Sequence, residues 1–293
     1  MPPARILALT DLSRNSLAGL DLAERFAHRI RGRVVVGHVL AQAGSRREDG
    51  PVGRSLVWIQ REDREHLLRL AARHIDPLRL AGVETLVDHS VRAGLRRLVE
   101  RTRPDLVCMA SHGRTGLHHL LLGSIAEHTI RTAGVPVMVT KGEPFPDAGD
   151  PLRVLVAVDL SDDPQLFTQR VAGILTPRDE LILAHVVESR GRIPEHYGAE
   201  FALPEPDLPR LTQAVHARLG RVKLGPKGPR LLVVVASGRP GEALVAIERR
   251  QEVHLVAART HGRRGFDHMM LGSVAEFLAR KASCAVLIDP KPG

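Results

Sequence analysis

Aromatic residues make up only 3% of this 293-residue chain, with one Trp and one Tyr. That leaves little material for stacking on bases, although a net charge of +9 would otherwise invite a nucleic-acid reading. The basic residues are almost all Arg, with a handful of Lys, and they are scattered over helix-like segments rather than gathered in one stripe. Nucleic-acid binding is therefore disfavoured. Cysteine is scarce too. Cys108 and Cys284 both lie in apolar strand-like runs, which reads as two buried small hydrophobes and argues against a disulfide framework or a zinc centre. No apolar run approaches the ~20 residues of a membrane span. The stretch Arg5-Ile6-Leu7-Ala8-Leu9 is too short for the core of a secretion signal and reads as a first strand. A cytoplasmic protein without membrane contact is expected. Hydrophobic and charged contents of 43% and 26% are those of a folded chain, and the length fits two ordinary domains.

What the chain does have is an internal repeat. Arg5-Ile6-Leu7-Ala8-Leu9-Thr10-Asp11-Leu12-Ser13 returns as Arg153-Val154-Leu155-Val156-Ala157-Val158-Asp159-Leu160-Ser161. Val35-Val36-Gly37-His38-Val39 returns as Ile182-Leu183-Ala184-His185-Val186. His112-Gly113-Arg114, then Leu122-Gly123-Ser124-Ile125-Ala126-Glu127, returns as His261-Gly262-Arg263, then Leu271-Gly272-Ser273-Val274-Ala275-Glu276. The three offsets lie between 147 and 149 residues, so the copies align almost without gaps. This is a duplication.

Each copy alternates short, continuous apolar runs with helical periodicity, the pattern of parallel strands buried on both faces. In the first copy the strands fall at 5–9, 33–39, 84–88, 105–110 and 136–140, and the helices at 14–31, 58–80, 92–103 and 124–133. In the second the strands fall at 153–158, 180–187, 230–235, 253–258 and 285–288, and the helices at 163–175, 207–220, 240–250 and 273–281. The fold class is thus α/β: two repeated doubly wound domains, at 1–143 and 152–293, joined by a Pro- and Gly-rich linker at 144–151. Irregular segments at 41–56 and 188–206 read as lids or as tolerated insertions. The last strand of each copy is apolar and uncharged, which suggests that the two cover one another in an intrachain pseudo-dimer; a further homodimer stays open.

An open parallel sheet binds ligands beyond the C-terminal ends of its strands, where the strand order reverses. Asp11 and Asp159 end the first strands there, and Ala110-Ser111-His112-Gly113 and Arg259-Thr260-His261-Gly262 end the fourth. Nine residues follow Gly113 before Gly123-Ser124 opens the next helix, and Gly262 with Gly272-Ser273 repeats that spacing. Glycine admits close backbone approach, and the first amides of a helix attract an anion. Ser124 and Ser273 can cap their helices or give a hydroxyl to a phosphate oxygen. Arg114, His118 and His119, and in the second copy Arg263, Arg264 and His268, add positive groups between. A plain turn and helix cap would use the same residues, but the duplicated spacing at strand ends favours the cradle. Asp-x-Ser after a strand also starts helices, so Asp11 and Asp159 stand as caps or as ligand groups. His38 and His185, inside apolar strands, read as satisfied core residues.

At these residues the chain resembles the universal stress protein family in its tandem form. The resemblance rests on the strand-one Asp-x-Ser, the strand-two His-Val, and the block Ser-His-Gly-Arg, spacer, Leu-Gly-Ser-x-Ala-Glu. It implies a five-stranded sheet in the order 3-2-1-4-5 and a stress-response function exerted through a protein partner. It also implies ATP, carried with Mg2+, in a Gly-x2-Gly-x9-Gly-Ser/Thr loop. No nucleophile, base and orienting group recur as a set, so no dedicated enzymatic activity is expected beyond slow nucleotide hydrolysis. On the family pattern adenine meets the backbone at Val39 or Val186, and Asp11 or Asp159 lies near the nucleoside. The phosphates meet Ala110, His112, Gly113, Arg114, Gly123, Ser124 and Ile125, or Gly262, Gly272 and Ser273. The alternatives are a stress scaffold that binds no nucleotide and, behind it, a basic nucleic-acid-associated protein. The chain departs from the motif at its first glycine, which is Ala110 in one copy and Arg259 in the other. The Arg259 guanidinium is expected in the phosphate position, held by loop carbonyls or by Asp159, the alternative being an outward turn that clamps a phosphate from the rim.

Overall fold

The computed structural model describes residues 3–41, 52–112, 122–161, 163–188, 208–260 and 271–290. The chain divides into two units, Met1–Ala148 and Gly149–Gly293. In the first unit the strands are β1 (Arg5–Leu9), β2 (Arg33–Ala41), β3 (Leu80–Asp88), β4 (Leu106–Ala110) and β5 (Val137–Thr140). Its helices are α1 (Leu17–Ile30), α2 (Val52–His74), α3 (Val91–Thr102) and α4 (Ser124–Thr132). The second unit repeats the series with β6 (Arg153–Ala157), β7 (Glu180–Val187), β8 (Arg230–Ser237), β9 (Leu255–Arg259) and β10 (Ala285–Asp289). Its helices are α5 (Pro164–Ala172), α6 (Leu208–Leu219), α7 (Pro240–Arg250) and α8 (Ser273–Lys281).

Both sheets are parallel, in the orders β3-β2-β1-β4-β5 and β8-β7-β6-β9-β10, as the family resemblance implies. Strand order reverses between β1 and β4, and between β6 and β9. The central strands read as unbroken apolar runs because helices cover both faces: Ile6, Leu7, Ala8, Val34, Val36 and Val107 have no solvent exposure. Cys108 and Cys284 are free and buried, and burial pushes the Cys108 thiol well above its ordinary range. The stretch after β5 folds back on its own unit, where Phe145 packs edge-on against Phe26 with ring centroids 6.3 Å apart. Among the described residues no helix is long and apolar enough to cross a membrane.

Two adjoining elements differ from their sequence reading. The helix expected at 58–80 runs from Val52 to His74, and β3 starts at Leu80 rather than 84. Pro77 disfavours helix at Asp76. The backbone turns instead, with Asp76 accepting from the Leu78 N–H at 2.8 Å and the Arg79 N–H at 2.8 Å. The β2–β3 register then slips by one residue at Gly82, whose φ of +146° suits glycine.

Helix α1 buries Leu20, Leu22, Ala23, Phe26 and Ala27 on one stripe. Gly19 lets it approach β4 unusually closely: a Cβ there would lie 2.6 Å from the Ala110 nitrogen and 2.8 Å from the Met109 carbonyl carbon. Alanine is the better helix former by about 1 kcal/mol, so propensity alone predicts that Gly19→Ala stabilises. The backbone contact wins, and we expect a net loss of about 1–2 kcal/mol from overpacking. Urea unfolding monitored by circular dichroism gives the sign, and a gain in stability would contradict the close approach.

Candidate functional site

The ladder between β1 and β2 ends abruptly. Its last rung is the Thr10 N–H to the Gly37 carbonyl, 3.0 Å. The Thr10 carbonyl, which would continue the ladder, is instead bound by the ring of His38 at 2.8 Å through Nδ1. The second unit repeats this arrangement: Val158 N–H to the Ala184 carbonyl at 2.8 Å, and His185 Nδ1 to the Val158 carbonyl at 2.8 Å. Both rings are buried, as the sequence reading holds. Backbone groups alternate sides along a strand. Val39, two residues past Gly37, therefore turns its N–H and C=O toward the space that β1 has vacated, as Val186 does past Ala184. The Val39 side chain is buried toward α3, where a Cβ on Gly94 would collide with it at 2.4 Å.

Beyond Thr10 the chain leaves the sheet through Leu12, a non-glycine residue at φ +63°. Asp11 accepts the Ser13 N–H at 3.0 Å and the Ser13 hydroxyl at 2.5 Å. Ser13 in turn caps the 3-10 turn Arg14–Ser16, its side chain accepting from the Ser16 N–H. Asp159 accepts the Ser161 N–H at 3.0 Å. Both aspartates therefore hold a local turn, while the caps themselves are Ser13 in the first unit and Asp163 at the start of α5 in the second, and Asp11 still lies beside the gap where β1 and β4 diverge.

On the other wall of that gap, Ser111 closes the end of β4 onto the start of α4. Its carbonyl accepts the Gly123 N–H at 2.9 Å, and Thr260 and Gly272 make the same closure at 2.5 Å in the second unit. Glycine is required at 123 because a Cβ would stand 2.8 Å from that carbonyl oxygen. Of the two roles open to Ser124 and Ser273, the cap falls to their neighbours. Gly123 and Gly272 occupy the N-cap position, each without a side-chain acceptor, and the serines are the first helical residues. The first amides of α4, at Ser124, Ile125 and Ala126, thus open toward the gap without a capping side chain. Ser13, Ser90 and Asp163 each accept a backbone N–H at their helix starts, whereas α1 and α7, like α4 and α8, begin without a side-chain cap. Ser111 Oγ lies 2.8 Å from His112 Nδ1, which keeps that ring at the mouth of the loop. Gly113 and Arg114, with His118 and His119, and Gly262 with Arg263, Arg264 and His268, lie outside the described residues.

The two copies are unlike at the first motif glycine. Ala110 is buried against the helix at Gly19. In the second unit the residue eight places after Asp159 is Phe167, where the first has Gly19, and the Arg259 guanidinium lies 5.7 Å over the Phe167 ring. The stack adds a contact that the sequence reading did not include, a large residue on α5 meeting a large residue on β9. Asp289, opposite Arg259 in the register, receives two bonds from Arg170 at 2.7 and 3.0 Å. Burial raises the proton affinity of Asp289, while the charges of Arg170 and Arg259 lower it.

Sequence reading also missed Asp88, because nothing marks it out from a surface turn. It is buried at the end of β3, opposite Ala41, where it pairs with His89 Nδ1 at 2.5 Å and Arg97 at 3.2 Å. On α4 the imidazole of His128 is driven below its ordinary proton affinity, first by burial and then by the charges of Arg92, Arg96 and Arg131, against a hydrogen bond to the Arg92 backbone.

Comparison with known proteins agrees with this geometry. The model of the universal stress protein family matches residues 3–141 and again 152–290. A universal stress protein of Mycolicibacterium smegmatis is 25% identical over 289 residues, covering 97% of this chain and 96% of that protein. One from Mycobacterium tuberculosis is 30% identical over 186 residues, covering 63% of this chain and 61% of its own length. A solved universal stress protein from Archaeoglobus fulgidus covers 100% of both chains with a TM-score of 0.66 at 20% identity, a likeness of fold.

If the ring of His38 is what terminates the β1 ladder, His38→Phe keeps the volume and leaves the Thr10 carbonyl without that donor. We expect a loss of about 1–3 kcal/mol in chemical denaturation. A variant as stable as the parent would show that the bond is dispensable.

Proposed function

The chain belongs to the universal stress protein family, in tandem form, and from that premise we propose that its first unit binds an adenine nucleotide, ATP, in the gap between β1 and β4. The observation that carries the reading is the start of α4: an uncapped helix N-terminus, opened by Gly123 and tied to the end of β4 through the Ser111 carbonyl. Three amides and the helix dipole there suit a phosphate group. The Ser124 hydroxyl at the first helical position adds a donor. Across the gap, the Val39 backbone offers one donor and one acceptor, the pair that an adenine edge requires. Asp11 lies between, within reach of a ribose. The groups repeated in both copies hold and orient a ligand, so the proposed role is binding, with the bound state read by a protein partner, rather than catalysis.

The second unit has the same helix start, but its strand ends carry the Arg259–Phe167 stack and the Arg170–Asp289 pair. We therefore assign the first unit the tighter site. A second reading, a scaffold that acts through its surfaces with no nucleotide, draws on the Ala110 and Arg259 departures.

Ser124→Glu and Ser273→Glu separate these readings. A carboxylate at the first helical position favours the helix dipole, so folding is preserved, while it repels an incoming phosphate. Titration calorimetry with ATP should show binding that Ser124→Glu weakens by about tenfold or more, equivalent to ~1.4 kcal/mol, and that Ser273→Glu leaves largely intact. The opposite ranking would move the working site to the second unit. No heat with the parent protein would favour the scaffold.

A further inference from the structure

A cavity of about 480 Å³ opens in the first unit at the other end of the sheet from the gap just described. Three elements converge on it. The C-terminal end of α1 supplies His28, Arg29 and Arg31, the start of β2 supplies Arg33, and the turn before β3 supplies Leu78 and Arg79. No acidic side chain is among its described lining residues. Cations at a helix C-terminus are ordinary, since the dipole favours them there, and that accounts for His28 and Arg29. It does not account for Arg33, which reaches the same space from the start of β2, or for Arg79 in the turn before β3, which Glu24 and Asp76 hold there.

Two of these side chains are held in place. Arg79 donates to Glu24 at 2.6 Å and to Asp76 at 2.9 Å, and Arg33 donates to the Leu80 carbonyl at 3.2 Å. Arg31 is fixed at its backbone, in the left-handed conformation that ends α1 at φ 56°. Arg25, one turn earlier, is drawn off by Asp147. Arg79 is thus already answered by two carboxylates, but the guanidinium groups of Arg31 and Arg33, brought to one space from the end of α1 and the start of β2, repel one another, and a multiply charged anion relieves that repulsion. Their planar donor forks match phosphate oxygens. The volume falls within the range of small-molecule pockets, and Leu78, 82% exposed, offers an apolar contact at the rim. Val39 lies six residues along β2 from Arg33, roughly 20 Å away. We infer that this arginine-lined cavity is a second binding site, for a small ligand carrying two or more linked phosphate groups, and that it works independently of the gap at α4.

Calorimetric titration of the full chain with inorganic tripolyphosphate tests it. The double variant Arg31→Asn, Arg33→Gln removes two charges and keeps a residue that tolerates the left-handed cap. A control, Arg249→Ala with Arg250→Ala, removes two exposed charges from α7. We expect a binding event in the parent that the double variant weakens by about tenfold or more, and that the control leaves nearly unchanged. Arg33→Gln alone, which leaves the helix end untouched, should weaken it in the same direction. The inference fails if the parent does not bind tripolyphosphate, if the double variant binds as the parent does, or if the control loses as much.

Discussion

A buried imidazole bound to a strand-end carbonyl sets the geometry on which the rest of each unit depends. His38 takes the Thr10 carbonyl at 2.8 Å, and His185 takes the Val158 carbonyl at the same distance. A parallel ladder would otherwise run on to Asp11 and fill the space between β2 and β4. By taking that carbonyl, the ring ends β1 one rung early, leaves the Val39 backbone facing open space, and satisfies a buried acceptor that would be costly to leave unmet. The crevice expected where strand order reverses is thus cut by one side chain. The second wall is equally economical: one backbone bond, Gly123 to Ser111, brings the start of α4 to the end of β4.

The duplication preserved these two bonds and changed what lies behind them. In the first unit Gly19 and Ala110 let α1 and β4 touch through their backbones. In the second, Phe167 and Arg259 face each other at corresponding places, and Asp289 and Arg170 complete a charged cluster around the strand ends. Small against small has become large against large. Neither change is intelligible alone, since arginine at 110 would meet the backbone of α1 and glycine at 167 would leave a void under Arg259. The two units thereby keep one fold while differing in the floor of the crevice, which is the physical ground for assigning them unequal affinities.

Much of this was legible in the sequence, and the exceptions have causes. The strands were readable because burial on both faces makes them continuous apolar runs, and the repeat checked each one against its copy. His38 and His185 stood out as polar residues in such runs, but their role in ending the ladder needs the register. The misplaced end of α2 had a signal in Pro77, outweighed by the helical periodicity before it, and the start of β3 was masked by Gly82, which belongs to a bulge. Ser is a strong capping residue, so the sequence leaves Ser124 open as a cap or a hydroxyl donor; the structure gives the cap position to Gly123. The partner of Arg259 could not be read, because it depends on a residue on another element that is distant in sequence. Asp88 had no local signature at all.

The central claim is that the gap between β1 and β4 of the first unit, bounded by Val39 and the start of α4, holds ATP. Hydrogen–deuterium exchange of the full chain with and without saturating ATP measures this most directly, because the groups proposed to contact the ligand are backbone amides. The account predicts slowed exchange in peptides carrying Val39 and Ser124–Ala126, with smaller changes at Val186 and Ser273–Ala275. Unchanged exchange in the first set, or protection confined to the second, would contradict it.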